Sequence, residues 1–294
     1  MRLLVLGSAG QLGGDVMEAA ALKGIEARGA TRADVDVGDL GALRTFLETE
    51  SFDALVNCAA LLNTEALEGD PAPAVTVNGH APAVMAEVAA AKGARMIQVS
   101  TDYVFGGDAA RTTPLAEDAP TAPVNVYGLT KAFGETLAQL DGADVAVFRV
   151  ASTFGVRGAA GKGGNFVETM IRMGRERGAL KVVSDQIMSP TSTAWAAGAI
   201  LAFLQKQGPA GVYHAVNTGA VSWCDFAKAI VARAGVAAEV SSCLASDWPS
   251  KARRPAYSAL DNAKLAGVIG PIPGWEAALD AYLVAKGHLA SPGA

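Results

Sequence analysis

The chain has 294 residues, of which 51% are hydrophobic, and its formal net charge at pH 7 is −5. A chain of this length accommodates one large domain, or a nucleotide-binding domain with a smaller second one. The acidic balance, without any lysine- or arginine-rich run, argues against nucleic acid or a membrane surface as a partner.

The cysteines and the N-terminus indicate a compartment. The three cysteines, Cys58, Cys224 and Cys243, lack the paired spacing of a disulfide framework. The chain begins with a strand-like segment instead of a signal peptide, and no apolar stretch is long enough to span a bilayer. We therefore predict a soluble, cytoplasmic protein. The histidines show no metal spacing and Asp15 alone cannot establish a metal site, so no metal is predicted.

Short apolar runs alternate with helical patterns through the first half of the chain. The predicted strands are residues 3–6, 26–30, 54–58, 95–99 and 145–150, and the predicted helices between them are 11–23, 40–48, 72–92 and 126–140. This alternation predicts an α/β fold with a doubly wound parallel sheet of the Rossmann type. Ligands of such sheets bind at the carboxyl ends of the strands.

Glycines punctuate the turn that follows the first predicted strand. Gly7 permits a tight turn, Gly10 lets backbone N–H groups approach a pyrophosphate, and Gly13 lets the helix pack against the strand. Gln11 and Leu12 belong to the same candidate cofactor-binding turn. Because glycine turns also form without a ligand, the assignment needs a second motif.

That second motif combines a hydroxyl with a tyrosine–lysine pair. Thr101 follows the fourth predicted strand, where a hydroxyl can hydrogen-bond a substrate carbonyl. Tyr127 and Lys131 lie four residues apart on a predicted helix and therefore share one face. The lysine ammonium is expected to lower the pKa of the tyrosine, so the pair is a candidate proton donor and its tuner. The alternatives are a solvated helix face and an ordinary polar turn, but the three residues after a glycine turn favour an active site.

The pattern loosens beyond residue 150. A glycine-rich loop over 155–164 precedes predicted helices at 166–177 and 191–205, an extended segment at 181–184, and a capping box that begins at Ser222. Segment 212–216 is strand-like, and we interpret its His214 as a hydrogen-bonded structural residue. We predict an NAD(P)-binding Rossmann domain over residues 1–150 and a mainly substrate-binding lobe over 151–294. Segments near 191–206 are expected to return to the Rossmann domain.

The chain resembles the extended short-chain dehydrogenase/reductases, and specifically the dTDP-4-dehydrorhamnose reductase family, over nearly its whole length. The matching motifs are Gly7–Gly13, 56–60, 100–106, 125–131 with Gly134 and Glu135, 164–167, 185–186, 189–191, 212–214 and 254–262. The resemblance implies reduction of the C4 ketone of a 4-keto-6-deoxy sugar nucleotide by NAD(P)H, with dTDP-4-dehydro-L-rhamnose converted to dTDP-L-rhamnose. It also implies that Tyr127 donates the proton, Thr101 holds the carbonyl oxygen and Lys131 binds the nicotinamide ribose.

The remaining cofactor and substrate contacts follow from local residue types and from the resemblance. No acid stands at the expected point directly after the second predicted strand, and Thr31 with Arg32 suits a 2′-phosphate, so we predict NADPH, with NADH as the alternative. Asp36 and Val37 resemble the family's adenine-contacting pair. The other predicted cofactor contacts are Ala59 and Ala60, and the predicted substrate contacts are Thr101, Asp102, Tyr103, Ser152, Asn165 and Arg254.

Several substrate-side positions depart from the family pattern. Ala66 stands at the position of a lysine, Ser152 at that of a tryptophan, and Met188 at that of a glycine. These departures keep open a reductase of another keto sugar nucleotide or of another ketone. Tyr103 follows Asp102 where dehydratases carry a second carboxylate, which argues against dehydration. A non-catalytic NADP-binding regulatory subunit is the alternative from another class, and a homodimer is left open.

Overall fold

A parallel sheet of six strands forms the centre of the computed structural model, which describes residues 1–140, 143–158 and 164–290. Its strands are β1 (Arg2–Leu6), β2 (Glu26–Ala30), β3 (Ala54–Asn57), β4 (Arg95–Thr101), β5 (Val145–Val150) and β10 (Gly211–His214), in the spatial order β10-β5-β4-β3-β1-β2. All five pairings are parallel. The predicted doubly wound sheet is confirmed, and the strand-like segment at 212–216 supplies its sixth strand.

Six short strands build three small two-stranded sheets outside the central one. They are β6 (Thr153–Phe154), β7 (Ala179–Val183), β8 (Ile187–Met188), β9 (Thr191–Ser192), β11 (Val221–Ser222) and β12 (Glu239–Cys243). The extended segment predicted at 181–184 corresponds to β7, which pairs in parallel with β12.

Helices cover the sheet and build the second lobe. They are α1 (Gln11–Leu22), α2 (Leu40–Thr49), α3 (Thr64–Leu67), α4 (Ala72–Ala74), α5 (Ala81–Ala91), α6 (Val126–Ala138), α7 (Phe166–Arg177), α8 (Thr193–Gln205), α9 (Trp223–Arg233), α10 (Ala263–Ile269) and α11 (Trp275–Ala285). The helix predicted at 72–92 is interrupted by a π-helical segment, Val75–His80, between α4 and α5. Half of the glycine-rich loop predicted at 155–164, residues 159–163, lies outside the described residues.

Buried apolar side chains form a core on each face of the sheet and a separate core in the second lobe. Helix α8 carries Ile200 and Phe203 into the same core as Val5 of β1, and it packs along α1. The second lobe is centred on Phe154, Phe226 and neighbouring side chains from α7, α9 and α11. Across the described residues, no helix combines the length and apolar character that crossing a membrane requires.

Candidate active site

The carboxyl end of β4 and the first turns of α6 bring the three predicted catalytic residues together. Thr101 is the last residue of β4, and α6 packs against that strand. The Thr101 hydroxyl lies close enough to the Tyr127 side chain to oppose the rise of the tyrosine's pKa that burial causes. Lys131 donates from Nζ to the carbonyl oxygen of Val99 at 2.7 Å. The trio predicted from the sequence is therefore one cluster.

The start of α6 is fixed by contacts on several sides. Asn125 is its N-cap, and the Asn125 Oδ1 accepts from the backbone N–H of Gly128 at 2.8 Å. The backbone N–H of Val126 donates to the Glu68 carboxylate at 2.8 Å. A Cβ atom at Gly128 would lie 2.0 Å from the carbonyl oxygen of Tyr103, so only glycine allows this approach. Tyr127 is therefore held in register with the end of β4.

Burial dominates the electrostatics of the pair. Lys131 is buried, and desolvation lowers the pKa of its ammonium to about 8 although Glu135 opposes the shift. Desolvation also raises the pKa of Tyr127, and the nearby Thr101 hydroxyl partly offsets that rise. The lowering expected from Lys131 was wrong for this arrangement, because burial, Asp102 and Tyr103 all raise the pKa and the group that opposes them is Thr101. A phenol that keeps its proton at neutral pH is suited to donate it.

Asp102 follows Thr101 directly, and both of its carboxylate oxygens contact hydroxyl groups. Oδ1 is 3.1 Å from Thr101 Oγ1, and Oδ2 accepts from Ser258 Oγ at 2.6 Å. Desolvation raises the pKa of Asp102 to about 6. The Thr101 hydroxyl also accepts from the backbone N–H of Tyr103 at 3.1 Å, and the Tyr103 ring meets Tyr127 edge-on at 5.9 Å. The arrangement gives Asp102 a supporting position, whereas the sequence predicts a substrate contact.

The glycine turn has the shape that an anion requires. Gly7 has φ +73°, and a Cβ there would lie 2.8 Å from the backbone nitrogen of Ala59. A Cβ at Gly13 would lie 2.3 Å from the Gly7 carbonyl oxygen, so helix and turn are in close contact. A Cβ at Gly10 would meet only that same carbonyl, at 3.1 Å, which leaves the outer side of the turn open. Among the described residues, the buried Nε2 of Gln11 has no hydrogen-bond partner. These features fit the pyrophosphate of a dinucleotide.

A second candidate cofactor-binding feature, formed by Thr31 and Arg32, lies at the carboxyl end of β2. Thr31 donates from its hydroxyl and its backbone N–H to Asp34, both at 2.8 Å. The exposed guanidinium of Arg32 pairs with Asp36 at 2.9 Å, and Val37 lies partly buried beside that acid. The rest of the Arg32 guanidinium is free to meet a phosphate from solvent.

Ser152 and Asn165 have specific structural settings. Ser152 follows β5 with φ 43°, a left-handed backbone conformation that is strained for any residue other than glycine and often marks functional sites. The side-chain amide of Asn165 donates to the Gly155 carbonyl at 2.9 Å and to the Tyr282 hydroxyl at 3.1 Å. Its oxygen caps α7 by accepting from Glu168 N at 3.1 Å. The buried Asn165 amide therefore ties the start of α7 to Gly155 and to Tyr282.

A cavity of about 770 Å³ is lined by residues of the second lobe and by Glu65 of the sheet domain. Its cationic side chains are Lys181, Arg253 and Arg254, and its aromatic ones are Phe166, Trp223 and Trp248. Arg254, which lines this cavity, is close enough to Tyr103 to oppose the rise of that tyrosine's pKa. Its combination of cations and flat rings suits an anionic, partly aromatic ligand.

The sequence analysis missed several residues that hold the candidate site together, because their hydrogen-bond partners are distant in the chain. Segment 250–258 is tied to the sheet domain by Glu65, which accepts from the Lys251 N–H at 2.9 Å and bonds Ser250. Asn125 also donates to the Arg253 carbonyl at 2.7 Å. No local spacing signals such contacts. The buried His214, with Nδ1 2.9 Å from the Asp261 carbonyl oxygen, confirms its structural interpretation.

Comparison with known proteins gives one consistent family. A family model described as RmlD substrate binding domain matches residues 1–287. A dTDP-4-dehydrorhamnose reductase of Mycolicibacterium smegmatis is 36% identical over 95% of this chain and 84% of its own length. A dTDP-4-keto-6-deoxy-D-glucose reductase of Streptomyces niveus is 36% identical over 77% of this chain and 76% of its own. The structure of the Bacillus anthracis dTDP-4-dehydrorhamnose reductase in complex with NADP has a TM-score of 0.88, with 29% identity, over 97% of this chain and 99% of that one.

Proposed function

The chain belongs to the dTDP-4-dehydrorhamnose reductase family, and from this we propose that it reduces the C4 ketone of a 4-keto-6-deoxy sugar nucleotide with NADPH. The favoured reaction converts dTDP-4-dehydro-L-rhamnose to dTDP-L-rhamnose. The observation that carries the proposal is the cluster of Thr101, Tyr127 and Lys131 at the end of β4. A purely binding protein has no use for this set of groups, and that argues against the regulatory-subunit alternative.

Each member of the cluster has a distinct task in the proposed reaction. The ketone oxygen lies between the Thr101 and Tyr127 hydroxyls, and Tyr127 gives its proton to that oxygen as the alcohol forms. The Lys131 ammonium stabilises the negative charge then left on the tyrosine oxygen and donates to the nicotinamide ribose. Thr101 is held for its task by Asp102 and the Tyr103 N–H.

The cofactor supplies the hydride, and the glycine turn and the end of β2 are suited to hold it. We propose that Gly7, Gly10, Gln11, Leu12 and Gly13 bind its pyrophosphate. The other proposed contacts, from the neighbouring strand ends, are Thr31, Arg32, Asp36, Val37, Ala59 and Ala60. In this division the Rossmann domain, with α8, carries the cofactor and the second lobe carries the sugar nucleotide.

The sugar nucleotide is proposed to occupy the cavity of the second lobe. Arg254 would pair with its diphosphate, because a guanidinium matches phosphate oxygens bidentately. Tyr103 and Ser152 would meet the sugar from the ends of β4 and β5. Asn165 would act by holding the start of α7 against Gly155 and Tyr282, since its amide is already committed to these protein partners.

The experiment measures loss of NADPH absorbance with purified protein and two substrates, dTDP-4-dehydro-L-rhamnose and dTDP-4-keto-6-deoxy-D-glucose. Oxidation with the first supports the favoured reaction, whereas oxidation with the second alone supports the alternative that the Streptomyces niveus relative represents. No oxidation with either, together with tight NADPH binding, would favour the regulatory subunit.

Replacing Arg32 with alanine should lower kcat/KM for NADPH by about tenfold, the loss of one charge-assisted phosphate contact. The value for NADH should change little, because NADH lacks the 2′-phosphate. Arg28→Ala is the matched control, since Arg28 is likewise an exposed arginine in an ion pair, with Glu50, but lies within β2 instead of after it. An equal fall with both cofactors would show that Arg32 does not read the 2′-phosphate.

A further inference from the structure

A buried ion pair lies one helical turn beyond Lys131. Glu135 on α6 and Arg149 on β5 are each 4% exposed. The Arg149 guanidinium donates from Nη2 to Glu135 Oε2 at 2.8 Å, and its Nε lies 3.0 Å and 3.2 Å from the two carboxylate oxygens. Such bidentate geometry fixes both side chains in one orientation.

Arg149 is itself held from other sides. Its guanidinium lies over the Phe105 ring, 5.0 Å from the ring centre. His214 on β10 donates from Nδ1 to the Asp261 carbonyl, which leaves Nε2 as an acceptor 3.4 Å from Arg149 Nη1. Burial and the nearby arginine lower the pKa of His214 to about 4, so the ring is neutral. Glu135 is therefore the carboxylate in direct contact with the guanidinium. Glu117 also faces this cluster: its carbonyl oxygen lies 3.5 Å from Arg149 Nη1, and its carboxylate accepts from the His214 backbone N–H at 3.1 Å.

The helix places this carboxylate where it acts on the lysine. Tyr127, Lys131 and Glu135 are spaced by four residues each, so they follow one another along one face of α6. Glu135 raises the pKa of Lys131 and counteracts the lowering by burial. Other titratable groups face Lys131 and Tyr127. The Cys58 thiol, kept neutral by a pKa of about 12, faces Lys131, and Asp102 faces Tyr127 from the turn after β4.

We propose that Glu135 is a positioning residue: its carboxylate, clamped by Arg149, keeps the Lys131 ammonium charged and anchored on the Val99 carbonyl, one turn from Tyr127. The inference rests on the proposed function in that Lys131 acts in the reduction. Without the carboxylate, Lys131 and Arg149 are two buried cations with no acid between them, and Lys131 relieves the repulsion by losing its proton.

The test measures the Lys131 titration directly in the protein without substrate. The protein is labelled with ¹³C at lysine Cε, and the Lys131 resonance is assigned by its loss in Lys131→Arg. Glu135→Gln, which keeps the shape and removes the charge, should move the titration midpoint down by about one pH unit. Arg149→Met disturbs the same buried network but removes a cation, so it should move the midpoint upward.

Opposite shifts in these two variants support the proposal, because a merely structural role predicts no such difference in sign. An unchanged midpoint in Glu135→Gln, or a downward shift in both variants, overturns it. The double variant Glu135→Gln/Arg149→Met replaces the pair with neutral side chains. Its midpoint should lie above that of Glu135→Gln and below that of Arg149→Met, so whichever single variant folds serves as its reference, and the reverse order overturns the proposal.

The kinetic counterpart is the pH dependence of NADPH-driven reduction. In Glu135→Gln the alkaline fall in kcat should begin about one pH unit lower than in the wild type. A protein without turnover on any keto sugar would contradict the proposed function and leave the NMR titration fully interpretable. The two failures are therefore distinguishable.

Discussion

Tyr127→Phe should lower kcat for NADPH-driven ketone reduction by about 10²–10⁴-fold, the usual contribution of a general acid. The substitution removes one oxygen and keeps the ring, so the edge-on contact with Tyr103 at 5.9 Å is retained. Initial rates at neutral pH measure the loss. NADPH affinity, followed by cofactor fluorescence, should stay near the wild-type value because the glycine turn is untouched.

Tyr213→Phe is the matched control for this substitution. It removes the same hydroxyl from a tyrosine of β10, whose oxygen donates to the Pro209 carbonyl at 2.8 Å and lies in a different part of the fold. The variant should lose about 1 kcal/mol of unfolding free energy with that hydrogen bond and keep its kcat. If Tyr127→Phe instead kept most of the wild-type rate, another group would be the proton donor.

Gly128→Ala should impair both stability and turnover. The added Cβ would stand 2.0 Å from the Tyr103 carbonyl oxygen and 2.8 Å from its carbon, and backbone atoms cannot give way as a flexible side chain can. Overpacking of this kind costs about 1–3 kcal/mol of unfolding free energy. Helix α6 would move away from β4, and a displacement of about 1 Å at reacting groups can lower kcat about 100-fold.

Urea unfolding and initial rates measure the two effects separately. Gly198→Ala is the matched control, because Gly198 lies inside α8 and no described atom outside its own helical turn stands within 4 Å of the Cβ that alanine would add. That variant should gain up to about 1 kcal/mol from helix propensity and keep full activity. Wild-type turnover by Gly128→Ala would show that α6 tolerates displacement at its first turn.

The first half of the fold could be predicted because each of its elements has a local signature. The predicted strands correspond to β1–β5. The glycine turn and the tyrosine–lysine spacing pointed to the carboxyl ends of β1 and β4 as the candidate site. The pairing of β10 with β5 could not be predicted, since the sequence of a four-residue strand does not show which strand it pairs with. Burial reversed the expected pKa shift of Tyr127, because solvent loss depends on the packed environment and not on spacing.

The supporting side chains of the site were also beyond local reasoning. Ser258 bonds Asp102 across 156 positions of the chain, and Lys251 bonds Glu65 across 186. Glu135 was different in kind, because its four-residue spacing from Lys131 is visible in the sequence. Its meaning required the buried Arg149 that faces it from β5.

Segment 250–258 contributes Arg253 and Arg254 to the cavity, and it is fastened to the sheet domain at Glu65, Asn125 and Asp102. Two of these anchors, Asn125 and Asp102, also hold the start of α6 and the catalytic threonine. Melting of the segment would therefore release the catalytic groups as well. Hydrogen exchange should therefore find that segment 250–258 and the start of α6 open as one cooperative unit. A sugar nucleotide bound to Arg253 and Arg254 should then also protect backbone amides of α6 from exchange.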